Sequence, residues 1–244
     1  MKKFGLIGYP LSHSFSKKYF SEKFVKESIQ DASYELFSIE DIDLLPEVLK
    51  SNAGLKGLNV TIPYKQQVIQ YLDDMSEAAK KIGAVNVLKV EGGRLVGYNS
   101  DYIGFKESLV DFLKGTKINS ALILGTGGAS KAVRAVLDDL AIDWNLVSRK
   151  GEGEVLSYND VDRVLLEKNK LVINTTPLGM SPNIEVCPNL PYDAAGEGHY
   201  FYDLVYNPEE TLFMKKAKAY GAYVKNGLEM LHLQAEASWD IWNS

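Results

Sequence analysis

Short apolar runs alternate along the chain with segments of helical period, the rhythm of βαβ units around a mostly parallel sheet. Residues 4–7 read as a first strand and 16–27 as an amphipathic helix. Residues 34–38 read as a second strand, 41–51 as a helix and 58–61 as a third strand closed by Pro63, with a further helix from about Lys65. Residues 84–89 and 94–98 form a hairpin pattern across Glu91-Gly92-Gly93.

The pattern restarts after Asp101. Residues 102–114 have a helical period and bridge to a purely apolar strand, 120–124, which runs into Gly125-Thr126-Gly127-Gly128-Ala129. A helix over 130–139 and strands at 144–147, 171–174 and 201–204 then describe a second parallel sheet. Residues 228–242 form a helix whose apolar face must dock elsewhere. The expected organisation is α/β with two domains. Residues 1–101 with 227–244 form one α/β domain, and residues 102–226 a Rossmann-like nucleotide-binding domain.

Composition narrows the class. With 45% hydrophobic and 24% charged residues over 244 positions, a buried core is expected. The formal net charge of -5 argues against nucleic acid or an anionic membrane as partner, because both reward a basic surface. The single cysteine, Cys187, excludes an internal disulfide, and His13, His199 and His232 do not cluster as ligands, so no metal is expected. Met1-Lys2-Lys3 and the apolar residues after it imitate a signal peptide. The run stops at Gly8-Tyr9-Pro10, well short of the roughly 7–15 residues such a segment needs. A cytoplasmic protein acting on small molecules is expected.

Strand, Gly-x-Gly and helix in succession suit a dinucleotide pyrophosphate, since glycines permit close backbone approach and the helix N-terminus offers N–H groups. Ser130 stands where a third Gly or Ala is usual. The next strand ends in Ser148-Arg149-Lys150, with no carboxylate before Glu152. NAD recognition places Asp or Glu at that strand end, whereas Arg binds a 2′-phosphate by charge-assisted bonds, so NADP is favoured. A basic solvated turn is the plainer reading.

The first domain carries a polar constellation. Ser14 and Ser16 sit on a turn before a helix, where hydroxyls also serve as caps. Asn59 and Thr61 share one strand face by period-two alternation, and Lys65 follows the strand's carboxyl end, where open α/β sheets hold ligands. Asn86 lies in Gly83-Ala84-Val85-Asn86, and Asp101 ends Asn99-Ser100-Asp101. Hydroxyls and amides around one Lys and one Asp would suit a polyhydroxylated acid. A surface lysine and a turn-forming aspartate are the ordinary alternative.

Eight stretches in order give the chain a family resemblance. They are Gly8-Tyr9-Pro10 through Ser16, Asn59-Val60-Thr61 with Pro63 and Lys65, Gly83 to Asn86, Asn99-Ser100-Asp101, Gly125 to Ala129, Asn174-Thr175-Thr176, Tyr202 to Tyr206, and Gly227 to Leu231 with Gln234-Ala235. In these the sequence resembles the shikimate dehydrogenase family over nearly its whole length. The resemblance implies NADPH-dependent reduction of 3-dehydroshikimate to shikimate in a cleft between domains, by a monomer or homodimer. It implies that Ser14, Ser16 and Tyr206 hold the substrate carboxylate, and that Thr61, Lys65, Asn86, Asp101 and Gln234 hold the ring hydroxyls, with Asn59 beside them. Lys65 and Asp101 become the acid/base pair. Gly125, Thr126, Gly127, Gly128 and Ala129 take the pyrophosphate. Ser148, Arg149 and Lys150 take the 2′-phosphate, and Thr176, Leu204 and Gly227 lie along the nicotinamide.

The departures are local. Ser148-Arg149-Lys150 replaces the family's usual Asn-Arg-Thr, Ser100 a usual threonine, Lys17 a common proline and Val87 a common threonine. Residues 151–160 are too short for the helix that usually follows the cationic turn, and the chain ends at Ser244, before a helix many relatives carry, so a trimmed enzyme is expected. Two other readings stay open: a dehydrogenase that also takes quinate or uses NAD, and a catalytically silent binder of shikimate or cofactor.

Overall fold

The computed structural model describes residues 1–11 and 14–244; Ser12 and His13, part of the serine-bearing turn, lie outside the described residues. The chain divides into two compact units, residues 1–100 with 234–244, and residues 101–233.

The first unit carries β1 (Lys2–Gly8), α1 (Phe15–Lys26), β2 (Ala32–Ser38), α2 (Leu45–Ser51), β3 (Leu55–Val60), β4 (Asp74–Met75), α3 (Glu77–Ile82), β5 (Val87–Glu91) and β6 (Arg94–Tyr98). Its sheet runs β2-β1-β3-β5-β6-β4. The β1–β2, β1–β3 and β4–β6 pairs are parallel, and the β5–β6 hairpin enters antiparallel. One face buries Ile7, Leu58, Val60 and Leu88, the other Phe4, Phe20, Tyr34 and Trp242. The helix expected from Lys65 is absent. Tyr64 N–H turns back to the Thr61 carbonyl at 2.9 Å, and only a 3₁₀ turn, Gln67–Tyr71, follows. The chain leaving Pro63 is thus already committed to turns.

The second unit follows with α4 (Ser100–Leu113), whose first residue belongs to the first unit, then β7 (Ser120–Leu124), α5 (Gly128–Asp139), β8 (Asp143–Ser148), β9 (Leu156–Ser157), α6 (Arg163–Lys168), β10 (Leu171–Asn174), β11 (Tyr200–Asp203), α7 (Leu212–Ala219) and β12 (Tyr223–Lys225). Its sheet, β12-β11-β10-β7-β8-β9, is parallel throughout. The apolar run at 121–124 is buried on both faces, as a central parallel strand must be. Residues 151–160 hold β9 and a 3₁₀ turn rather than an α-helix.

The last helix, α8 (Leu228–Asn243), divides between the units at Gln234, rather than lying wholly with the first as its start at residue 227 predicted. Its end docks on the first sheet. The Trp242 indole stacks on Phe4 at 4.8 Å between ring centres and donates to the Leu88 carbonyl at 3.0 Å. Gly57 makes the space: a Cβ there would stand 2.1 Å from the indole. Among the described residues no helix is long and apolar enough to cross a membrane.

Candidate functional site

In the second unit the carboxyl ends of β7, β8 and β10 converge. Gly125 turns the chain out of β7 at φ +107, a conformation open to glycine, with its N–H on the Val147 carbonyl at 2.8 Å. A Cβ on Gly125 would also meet Thr175 Oγ1 at 2.8 Å. Beyond it Thr126, Gly127, Gly128 and Ala129 are exposed, and a Cβ on either glycine of the pair would meet nothing within 4 Å. Helix α5 begins at Gly128, two residues before the expected start, and its cap Gly127 offers no side-chain acceptor to the first turn. The result is a cradle of N–H groups at a positive dipole end, facing open space. Ser130, in place of the third glycine, is buried and donates to the Gly127 carbonyl at 2.6 Å, so a small hydroxyl serves where close packing is needed.

Arg149 and Lys150 stand exposed at the end of β8, where Ser148 Oγ accepts from Gly151 N–H at 3.2 Å and closes the turn. A cavity of about 670 Å³ is lined by Thr126, Ser148, Arg149, Lys150, Glu152 and Val155. A second, of about 330 Å³, runs from Gly125–Gly127 past Arg149 and Tyr158 to Thr175 and Thr176. Tyr158 carried no role in the sequence reading. Burial raises its phenol pKa and the Arg149 charge, on the same cavity wall, pulls it back. This aromatic wall comes from the shortened segment, where only its position after the cationic turn could have marked it.

Thr176 is fixed from behind. Its N–H and hydroxyl both reach Asn174 Oδ1, at 3.1 and 2.6 Å, and Asn174 Nδ2 donates to Asp203. Leu204 N–H bonds the Asn174 carbonyl at 3.0 Å. Gly227 abuts Leu204, since a Cβ there would lie 2.2 Å from its carbonyl oxygen. The residues expected along the nicotinamide are therefore drawn together within one unit. Tyr206, four-tenths exposed, follows on the same segment.

In the first unit, Thr61 follows the end of β3, its N–H on the Ile7 carbonyl at 3.0 Å and its methyl filling the space that Gly8 leaves. Lys65 is half-buried and its carbonyl accepts from Val85 N–H at 2.7 Å. Ser14 caps α1, accepting from Lys17 N–H at 3.2 Å, and Ser16 stands in the first turn of the same helix. Asn86 is buried and tied to Ser100, whose hydroxyl lies 3.4 Å from Gln234 Oε1. Asn59 differs from its expected place. It is 6% exposed, and both ends of its amide bond Tyr34, Ser238 and the Asn86 carbonyl, so it stands behind the site rather than in it. Asp101 lies in the first turn of α4, where the helix favours a carboxylate, and belongs to the second unit, whereas Lys65 belongs to the first.

A profile of the shikimate dehydrogenase substrate binding domain matches residues 6–88. A shikimate dehydrogenase (NADP(+)) of Clostridium beijerinckii is 42% identical over 99% of this chain and 92% of its own length. One of Methanococcus maripaludis is 39% identical over 98% and 90%. The solved structure of shikimate 5-dehydrogenase from Thermus thermophilus in complex with NADP(H) and shikimate superposes with a TM-score of 0.83 at 31% identity, over 99% of this chain and 93% of that one. With these matches spanning nearly the whole chain, it belongs to the shikimate dehydrogenase family.

Proposed function

We propose that this protein catalyses the reversible, NADPH-dependent reduction of 3-dehydroshikimate to shikimate. The observation that carries the reading is the pairing, in one chain, of a polar constellation around Lys65 with a glycine cradle flanked by cations. The second unit fits the cofactor: open N–H groups at Gly127 and Gly128 would hold the pyrophosphate, and Arg149 with Lys150 the 2′-phosphate. Among the described residues, Glu152 is the one carboxylate on that cavity. When bound, the nicotinamide supplies the hydride.

The chain's own groups do the rest. Thr61, Asn86 and Gln234 bond the ring hydroxyls, and Ser14, Ser16 and Tyr206 the carboxylate. The Lys65 ammonium stabilises negative charge on the substrate carbonyl oxygen and gives it a proton; Asp101 orients the ammonium and a neighbouring hydroxyl. In the reverse direction Lys65 takes the proton back. The protein acts in the cytoplasm as a monomer or homodimer.

Nicotinamide absorbance with shikimate or quinate, each with NADP and with NAD, tests the reading. Turnover is expected with shikimate and NADP above the other three pairs. Quinate with NAD as the best pair would overturn it, and so would binding of shikimate without turnover.

A further inference from the structure

A row of buried polar side chains runs behind the substrate-facing groups of the first unit, and counting hydrogens fixes its direction. The Asn59 amide nitrogen faces a backbone carbonyl, that of Asn86, at 3.4 Å, and Ser238 Oγ at 3.0 Å. A carbonyl only accepts, so the amide's NH2 end lies on that side and Oδ1 on the other. Oδ1 is 2.8 Å from the Tyr34 hydroxyl, which therefore donates. Tyr34 has one hydrogen and it is used there, so the phenol anchors the Asn59 amide from behind.

The other arm reads the same way. Ser238, fully buried, directs its hydrogen to the Gln234 carbonyl at 2.8 Å, so at 3.0 Å it accepts from Ser100. Ser100 Oγ then accepts from Asn86 Nδ2 at 3.1 Å, and Ser100 N–H donates to Asn86 Oδ1 at 2.7 Å. These bonds fix which end of the Asn86 amide is nitrogen, and the donor they leave it is one N–H. Asn86 cannot flip without setting its nitrogen against the Ser100 N–H.

We infer that Tyr34, Asn59, Ser238 and Ser100 are positioning residues of the substrate site: Tyr34 holds Asn59, Asn59 holds Ser238, Ser238 holds Ser100, and Ser100 sets the Asn86 amide. The inference rests on the shikimate reading above, and none of the four needs to touch substrate. A buried network of this kind is specific because each member has one satisfied arrangement.

The test is a set of double-mutant cycles read as KM for shikimate, KM for NADP, turnover and melting temperature. Tyr34→Phe and Ser238→Ala should each raise the shikimate KM about three- to tenfold, the effect of a hydrogen bond of ~1 kcal/mol, with the NADP KM unmoved. Both substitutions should add less than about twofold once Asn86 is alanine, yet keep their effect once Ser16 is alanine. Undiminished effects in both backgrounds, or a lowered melting temperature with the shikimate KM unchanged, would overturn the inference. If Tyr34→Phe does not fold, the Ser238→Ala cycle with Asn86→Ala decides alone. Wild-type protein that binds shikimate without turnover overturns the catalytic reading only, and the same cycles are then read as Kd for shikimate by calorimetry.

Discussion

The Asn174 amide donates to the Asp203 carboxylate at 2.9 Å, joining the ends of β10 and β11 behind Thr176. Val205 N–H and the Thr211 hydroxyl complete the shell at 3.0 and 2.6 Å. Burial nevertheless dominates and pushes the Asp203 carboxyl up to about 6 from 3.8. A raised folded value favours the protonated group in the fold, so its contribution is full below about 3.8 and is lost as pH rises through about 6. His199 opposes it: burial and then the Lys170 charge lower its pKa, so its contribution is lost as pH falls. Asp203→Asn isolates the first term, because Oδ1 can keep Asn174 and Val205 while Thr211 turns to accept from the new amide. The change in melting temperature between pH 5 and pH 7 should therefore move in favour of pH 7 in the variant. An unchanged difference would show that Asp203 does not titrate there.

How much of this was legible from the sequence depended on period and on length. The alternation of 120–124 with 130–139 announced the second sheet, and its apolar strands fell within a residue of their places, while β3 and β5 of the first sheet start three residues from theirs. Strands β4 and β9, with two residues, carry no period, and α6 has under two turns. The candidate site divides similarly. Gly125 to Ala129 and Arg149 are local signals, read from adjacent residues. Tyr34, Ser238 and Asp203 act through partners 25, 138 and 29 positions away, which no spacing rule reaches. Asn59 shows the reverse failure, since period two names its face of β3 but not that another helix covers it.

Ser14 has two roles that substitution can separate. It caps α1, worth about 1 kcal/mol, and is proposed to hold a carboxylate. Aspartate caps as well as serine but repels an anion. Ser14→Asp should keep the melting temperature and raise the shikimate KM far more than Ser14→Ala does, while Ser14→Ala loses on both. Equal KM values for the two variants would leave Ser14 as a cap alone.

Gly57→Ala should destabilise the first unit by about 1–3 kcal/mol, because the new methyl meets the Trp242 indole and the backbone of β5. Trp242→Leu in the same chain should recover part of the loss in denaturant unfolding. Purely additive losses would mean that the ring moves aside freely.

Lys65→Ala should cut turnover by ~10²–10⁴-fold, the range of a general acid/base group, with far-ultraviolet circular dichroism unchanged. The fold is expected to survive because the residue's link to Val85 is through its backbone carbonyl, which alanine keeps. Less than about tenfold loss in a folded variant would remove Lys65 from the chemistry.

Arg149 gives the sharpest test of cofactor choice. It lines both of the cavities beside the glycine turn, with Lys150 next to it on the larger and Tyr158 on the smaller. No carboxylate stands at the end of β8 to take a ribose hydroxyl, and Glu152 lies beyond the turn that Ser148 closes. A charge-assisted bond of ~1.5–3 kcal/mol to a 2′-phosphate makes Arg149→Ala cost roughly 10- to 150-fold in NADP affinity. NAD lacks that phosphate and should lose little, so the preference collapses rather than both affinities falling together. Glu152→Gln removes the charge that opposes the phosphate and should move NADP affinity the other way, with NAD again steady. Tyr158→Phe, which keeps the aromatic wall and drops only the hydroxyl, should leave both nearly as they were. Dissociation constants for both cofactors across the three variants decide the matter: equal losses for NADP and NAD in Arg149→Ala would make the guanidinium a support for Tyr158 and the adenosine, not a reader of the phosphate.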